Sequence, residues 1–352
     1  MSQSQDPPGL DLAALRTYFR DHVEGAADAP LRAELIQGGR SNLTYVIGQD
    51  DRRWVLRRPP LAHVLPTAHD MGREYRVISA LGRSDVPVPR TYAHCLDDAV
   101  IGATFYVMSW VEGRRLAEAE DAARLGPEEA DAACRTLVST LAALHRVEPE
   151  RVGLGDFGRP AGFVERQVRR WYTQWERSKT QSLPEVDELR DRLATALPES
   201  QATTVVHGDY RFDNLLLARD APRVVAVLDW EMATLGDPLT DLGLLLVYWT
   251  EPGDGVRREI GVAPDVTAGP GFWSRRRVAE TYAELTGFDL SDLGFYVALG
   301  CYKLAIVLEG IHDRHLHGAY GDEDFGEIWA GVPDLVRLGL AATDRGLDAL
   351  SA

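Results

Sequence analysis

Residues 203–231 read Thr203-Thr204-Val205-Val206-His207-Gly208-Asp209-Tyr210-Arg211-Phe212-Asp213-Asn214-Leu215-Leu216-Leu217-Ala218-Arg219-Asp220-Ala221-Pro222-Arg223-Val224-Val225-Ala226-Val227-Leu228-Asp229-Trp230-Glu231. Leu215–Leu217 and Val224–Leu228 are apolar, strand-sized runs on either side of a polar turn. A hairpin centred between Ala221 and Pro222 sets Asn214 opposite Asp229 at its open end. Asp209 lies five residues before Asn214, on the loop entering that same end. Two carboxylates and one amide oxygen are hard ligands, suited to Mg²⁺ and poor for zinc. Phosphoryl transfer from ATP needs this set, because one carboxylate orients the acceptor hydroxyl while an Asn and a second Asp hold the metal. A plain hairpin with Asp and Asn in its turns is the competing reading, but turn chemistry alone does not demand this spacing.

The run HGDYRFDN followed by VLDWEMATLGDPLTDLG resembles the aminoglycoside phosphotransferase family, relatives of protein kinases that include the choline kinases. The branch it most resembles is the kinase-like domain fused to some acyl-CoA dehydrogenases, through GGRSNLTY, VLRRPP and REYRV. The resemblance runs from about Gln37 to Arg314. It implies an α+β, bilobal protein-kinase-like fold, with a small antiparallel β lobe carrying one helix and a larger, mainly helical lobe. It further implies that Asp209 is the catalytic base, that Asn214 and Asp229 are magnesium ligands, and that Asp241 braces the catalytic loop.

Working outward from that stretch, the pattern agrees with two parts. Asp11–Val23 has a helical period, with Leu12, Leu15, Phe19 and Val23 on one face. Leu35-Ile36, Leu43–Ile47, Trp54–Arg57, Thr91–Cys95 and Thr104–Val111 are strand-like, and residues 67–82 are helical. After Gly113 helices dominate, at Pro127 onward and over 162–178, 185–197, 239–249, 272–286, 291–310 and 333–348. We therefore expect an N-terminal lobe over residues 1–111 and a C-terminal lobe over 112–352 carrying the catalytic loop and acceptor site.

In the first part, the glycine turn around Gly39, Ser41 and Asn42 brings backbone N–H groups close enough to cover phosphates. Arg57 ends a strand where the resemblance places a phosphate-binding Lys. An Arg there is a planar fork and not a point charge, and neighbouring Arg58 leaves the register open. Glu74 falls beside the apolar stripe of Met71, Ile78 and Leu81, and an inward carboxylate needs a partner, with Arg57 the choice the resemblance implies. Met108, Ser109 and Val111 resemble a kinase hinge, with backbone groups of Ser109 and Val111 meeting the adenine edge.

The totals narrow the function further. With 38 Lys and Arg against 54 Asp and Glu, the net charge is −16, which argues against a nucleic-acid partner. Cys95, Cys134 and Cys301 lie far apart without metal-ligand spacing and read as buried thiols of a reducing compartment. No secretory signal is visible, and the apolar stretch around Leu242–Trp249 is far shorter than the ~20 residues that span a bilayer, so no membrane role and a cytoplasmic location are expected. His207 reads as a loop anchor, Glu231 as an ion-pair residue or the support of a metal-bound water. Asp322-Glu323-Asp324 with Glu327 reads as a solvated charge run. Lys303 and Arg314 are candidates either to approach an anionic acceptor or to sit in ion pairs, and the run Arg275-Arg276-Arg277 suits an anion or forms a solvated helix face.

The function expected is an ATP- and Mg²⁺-dependent kinase phosphorylating a hydroxyl of a small metabolite, with a hydroxy acid or hydroxyacyl thioester favoured by the branch resemblance. An aminoglycoside or amino-alcohol acceptor is the alternative within that class. A nucleotide-binding module without transfer activity, and a metal hydrolase using His207, Asp209 and Asp229, are the readings outside it.

Overall fold

The computed structural model describes residues 6–36, 42–61, 70–254, 265–318 and 328–351. They fall into two units. The first comprises residues 1–112 together with 225–233, and the second 113–224 and 234–352, so the first is discontinuous in sequence.

The first unit is a five-stranded antiparallel sheet between two helices. Helix α1 (Leu12–His22) is capped by the Asp11 side chain, which accepts from the Ala14 N–H. Strands β1 (Arg32–Leu35), β2 (Leu43–Gln49) and β3 (Arg52–Arg58) follow, then α2 (Met71–Leu81), β4 (Thr91–Cys95) and β5 (Phe105–Ser109), in the spatial order β1-β2-β3-β5-β4. Strand alternation decides which residues meet which helix. Tyr45, Ile47, Trp54, Leu56, Phe105 and Val107 point to one face and form a core with Leu15 and Phe19 of α1. Residues one place out of phase, Arg57, Tyr106 and Met108, therefore belong to the other face, which α2 covers. Arg58 points back to the first face, where its guanidinium donates to the carbonyls of Gly9 and Ile101. That separates the two arginines.

Helix α2 runs from Met71, behind an Asp70 cap that accepts from the Arg73 N–H at 3.1 Å, and residues 67–69 of the expected helix lie outside the described residues. Gly82 ends it in the right-handed region at φ −60°, so no left-handed cap is needed.

The second unit contains α3 (Ala119–Ala122), α4 (Pro127–His145), α5 (Phe163–Ser178), α6 (Glu185–Thr195), α7 (Leu239–Tyr248), α8 (Arg275–Thr286), α9 (Leu293–Leu316) and α10 (Val332–Arg345). Strands β6 (Thr204–Val206) and β9 (Thr234–Gly236) pair antiparallel, with Val205 opposite Leu235. Between them in sequence lie β7 (Leu215–Leu217) and β8 (Val224–Val227), of which residues 225–227 belong to the first unit. The turn after β7 closes with the Ala218 N–H on the Arg223 carbonyl at 2.8 Å. It is thus centred between Asp220 and Ala221, one residue earlier than a symmetric hairpin about Ala221-Pro222, because Arg223 N–H bonds back to the Ala221 carbonyl and consumes a residue inside the loop. The facing of Asn214 and Asp229 read from the symmetric hairpin does not follow from this turn.

Helix α9 is the axis of the second unit, packing against α5, α6, α7 and α10. Its 24 residues, with a mean hydropathy of 1.5 in its apolar window, are long and apolar enough to cross a membrane, which the shorter run near Leu242 is not. That window is 78% buried within the protein, as in a core helix. The α7–α9 crossing is close because Gly243 and Gly300 meet there. A Cβ on Gly300 would lie 3.1 Å from the Leu244 backbone.

Candidate active site

The loop after β6 is built around one buried carboxylate. Asp241, in the first turn of α7, is 1% exposed and accepts the backbone N–H of His207 through Oδ2 and that of Gly208 through Oδ1, both at 2.7 Å. Oδ2 also lies 3.2 Å from Nε2 of His145, whose Nδ1 is 2.6 Å from the Tyr282 hydroxyl. Burial alone would raise the Asp241 pKa, but His145 and the loop amides outweigh it and hold it below the ordinary carboxylate value. Gly208 sits at φ 85°, a left-handed conformation that glycine adopts without penalty. The Asp209 N–H donates to His207 Nδ1 at 3.2 Å, so the imidazole is tied into the turn.

That turn presents Asp209, and each of its carboxylate oxygens has a donor. Tyr248, at the end of α7, donates its hydroxyl to Oδ1 at 3.0 Å. Asn214 donates Nδ2 to Oδ2 at 3.0 Å and to the Asp209 carbonyl at 2.8 Å. The five-residue spacing works because Phe212–Asn214 form a single 3₁₀ turn that doubles the chain back. With its amide nitrogen committed to Asp209, Asn214 has its Oδ1 as the atom to offer a cation. Arg211 adds a positive charge, with Nε 3.9 Å from Asp209 Oδ2 and the guanidinium 4.8 Å from the Tyr248 ring centre. Burial works against that charge, but Tyr248, Asp209 and Asp213 outweigh it and raise the Arg211 pKa. Asp213 is held between Arg211 and Arg115, the latter at 2.6 Å.

Beside this loop lies an open pocket lined mainly by Leu116, Phe212, Leu245, Trp249 and Val266, with Arg211, Asp213, Tyr248 and Thr267 at its polar side.

The first unit carries a second polar cluster. Arg57 pairs with Glu74 at 3.1 Å and with Asp229 at 3.4 Å, and the Tyr106 hydroxyl donates to Glu74 at 2.9 Å. Burial works against the Arg57 charge, but Glu74, Tyr106 and Asp229 outweigh it and raise its pKa. Burial also raises the Glu74 pKa, with Arg57 opposing. Asp229 stands at φ 62°, in a region a non-glycine residue seldom occupies and where strain collects at functional sites. Its neighbour Trp230 is buried and donates Nε1 to the Val227 carbonyl at 3.0 Å. Glu74, Asp229 and Glu231 offer carboxylate oxygens all within 4.8 Å of one another.

Met108 is buried on the α2 side of the sheet and Val111 is half-buried. The Ser109 N–H donates to the Arg90 carbonyl at 2.7 Å, so that donor of the expected hinge is already committed. Asn42 is buried at the start of β2, while Gly39, Ser41 and the acidic run at 322–327 lie outside the described residues.

Arg275, expected to belong to an anion-facing or solvated basic run, is instead 2% exposed, with Nη1 3.3 Å from Glu251 and Nη2 on Asp254. Residues 276 and 277 do face outward, on Asp348 and Asp131. Tyr248, Arg211 and His145 were not read as site residues, since each acts through a contact made only on folding. An apolar helix ending in Tyr just before the Trp249-Thr250 break was the one signal for Tyr248.

A family model described as the phosphotransferase enzyme family matches residues 32–281. Acyl-CoA dehydrogenase family member 11 of Rattus norvegicus is 33% identical over 344 residues, covering 96% of this chain and 44% of that protein. The chain thus spans under half the length of that relative. A crystal structure from Ralstonia eutropha, described provisionally as an aminoglycoside phosphotransferase, is 35% identical with a TM-score of 0.81, covering 95% of this chain and 98% of its own. The aminoglycoside phosphotransferase APH(4)-Ia, solved with AMP-PNP and hygromycin B, has a TM-score of 0.62 at 14% identity, covering 94% and 99%, and shares the fold. By fold, family match and kinship with these kinase-like proteins, the chain belongs to the phosphotransferase enzyme family.

Proposed function

We propose that this chain is an ATP- and Mg²⁺-dependent kinase that phosphorylates a hydroxyl group on a small metabolite, with Asp209 as the base. The observation that carries this reading is the posture of Asp209. Two neutral donors, Tyr248 and Asn214, orient its carboxylate while leaving it an acceptor for a hydroxyl proton. Catalysis of this kind is mostly placement and charge neutralisation, so no covalent nucleophile is required.

The donor set fits magnesium, being oxygen-only and hard. Asn214 through Oδ1 and Asp229 through its carboxylate would hold it, with Glu231 beside Asp229 as support, and the metal would supply charge neutralisation on the phosphates. Arg57, kept in place by Glu74, is the residue we assign to the phosphates in the first unit, with Asn42, Gly39 and Ser41 as the phosphate cover and Met108, Ser109 and Val111 as the adenine edge.

The acceptor we favour is a hydroxy acid or hydroxyacyl thioester. The cavity beside Asp209 is lined mainly by aliphatic and aromatic side chains, and of its two charged wall residues Arg211 is a cation while Asp213 is paired with arginines. A polycationic aminoglycoside would find the Asp213 carboxylate of that wall already paired with Arg211 and Arg115. The fusion of this kind of chain to an acyl-CoA dehydrogenase in its relatives points the same way. The net charge of −16 fits a small-molecule partner better than a nucleic acid, and buried thiols at Cys95, Cys134 and Cys301 fit a cytoplasmic setting.

The test is ADP release with Mg-ATP over a panel of hydroxyacyl-CoAs, free hydroxy acids and aminoglycosides. We expect turnover with a hydroxyacyl compound and a loss of about a thousandfold or more in Asp209→Asn, with nucleotide affinity retained. Turnover confined to aminoglycosides would replace the acceptor assignment, and normal turnover by Asp209→Asn would remove Asp209 from its role.

A further inference from the structure

Lys303 was read from the sequence as a residue that approaches an anionic acceptor or sits in an ion pair, and its surroundings give it different work. It lies midway along α9, and its Nζ donates to the carbonyl of Gly208, the residue before Asp209. Its ammonium sits 5.6 Å from the Trp171 ring centre, among Asp209 and Asp241 with Arg170 as the opposing cation. Gly208 is therefore gripped at both of its hydrogen-bonding groups. A carboxylate, Asp241, takes its N–H, and an ammonium takes its C=O. This is the residue whose left-handed backbone aims Asp209.

We propose that Lys303 is a positioning residue for phosphoryl transfer, which together with Asp241 clamps the Gly208 peptide between opposite charges and so fixes the direction of the Asp209 carboxylate. Four physical points support the assignment. A left-handed glycine is the most easily rotated residue in a loop, so a site that needs a fixed carboxylate must restrain it from outside. Charge-assisted hydrogen bonds are about twice as strong as neutral ones, and this residue has one on each side. A lysine in a largely desolvated place is costly unless its charge is used, and burial does lower the Lys303 pKa while Asp209 and Asp241 oppose that shift. Lysine suits the position better than arginine, because a single carbonyl oxygen needs a point donor and not a fork.

The experiment uses the full chain and Lys303→Met, which keeps the aliphatic stem against Trp171 and removes the charge and its donors. Two measurements are made. In the kinetic arm, which rests on the proposed phosphotransferase activity, kcat with Mg-ATP and the best acceptor of the panel falls about ten- to a hundredfold, while KM for ATP stays within about twofold. In the second arm, amide hydrogen exchange at Gly208, Asp209 and Tyr210 accelerates about tenfold, while exchange in α4 and α9 and the melting temperature hold steady. If the wild-type chain turns over no compound, the activity reading fails and the exchange arm still decides the clamp. Unchanged exchange at residues 208–210 overturns the proposal, as does a kcat within twofold of wild type. A lowered melting temperature with faster exchange throughout the second unit also overturns it, since Lys303 would then be a stabilising residue only.

Discussion

Replacing Arg57 by Met strips a buried carboxylate of its cation, and the consequence can be sized from the geometry. Arg57 and Glu74 are 3.1 Å apart, with side-chain exposures of 12% and 1%. At an effective dielectric near 20, unit charges at that separation attract by about 5 kcal/mol, a gain that desolvation of both groups largely offsets in the intact pair. Removing one partner leaves the other's desolvation cost uncompensated, and such changes cost about 3–5 kcal/mol. Tyr106 remains as a single donor to Glu74 and covers only part of that loss. The loss is pH-dependent, and its sign is set by Glu74. Its folded pKa is already raised by burial, and Arg57 is the group that opposes the rise. Without Arg57 it rises further. A group with a raised folded pKa contributes stability that is fully present below its unfolded value and is lost as the pH climbs through the folded one. Arg57→Met should therefore be most destabilised at pH 8 and approach wild type near pH 5. Urea unfolding of both proteins across that range, followed by tryptophan fluorescence, measures the difference. A loss below about 1 kcal/mol, or one equally large at pH 5 and pH 8, would refute the reasoning, because it would mean that Glu74 is neither ionised nor dependent on Arg57.

Tyr248→Phe deletes one donor to Asp209 without changing the shape of the cavity wall, and a hydrogen bond to a charged group is worth about 1.5–3 kcal/mol, so kcat should drop about ten- to a hundredfold in the ADP-release assay with little change in KM for ATP. Asp241→Asn removes a carboxylate whose folded pKa is depressed. Its stabilisation exists above the unfolded value near ~3.9 and disappears as the pH falls, so the variant should melt lower at pH 7 and show a flatter acid limb than wild type below about pH 5. Gly243→Ala drives a methyl group into the Tyr296 carbonyl at the α7–α9 crossing, and overpacking of this sort costs about 1–3 kcal/mol in chemical denaturation.

What could be read before folding was whatever depends on spacing along the chain. The Asp209-to-Asn214 interval requires only one tight turn, and it delivers a hydrogen bond. The stripe of α2 turned Glu74 inward, whereas its partner was named only through the family resemblance, and the choice between Arg57 and Arg58 stayed open until strand pairing put them on opposite faces. Residues that depend on tertiary placement were missed. Tyr248 lies 39 positions from Asp209 and His145 lies 96 from Asp241, distances over which no local pattern carries information. Arg275 was misjudged for the same reason. A basic triplet reads as a solvated face until Glu251 and Asp254 are found beside it. The turn after β7 slipped by one residue because a backbone bond inside the loop, invisible to hydrophobic pattern, used up Arg223.

The excursion of residues 225–233 into the first unit sets an order of events during synthesis. Val227 donates to the Pro87 carbonyl, Arg73 to that of Ala233, and Asp229 pairs with Arg57, so the sheet unit finds its last pieces 113 or more positions after residue 112. At translation rates of about 5–20 residues per second, a nascent sheet waits roughly 6–24 seconds for them, with Arg57 and Glu74 lacking Asp229 beside them. A truncated message ending before that segment would yield a lobe with a gap in its charge balance, and ribosome pausing in between would lengthen its exposure to chaperones.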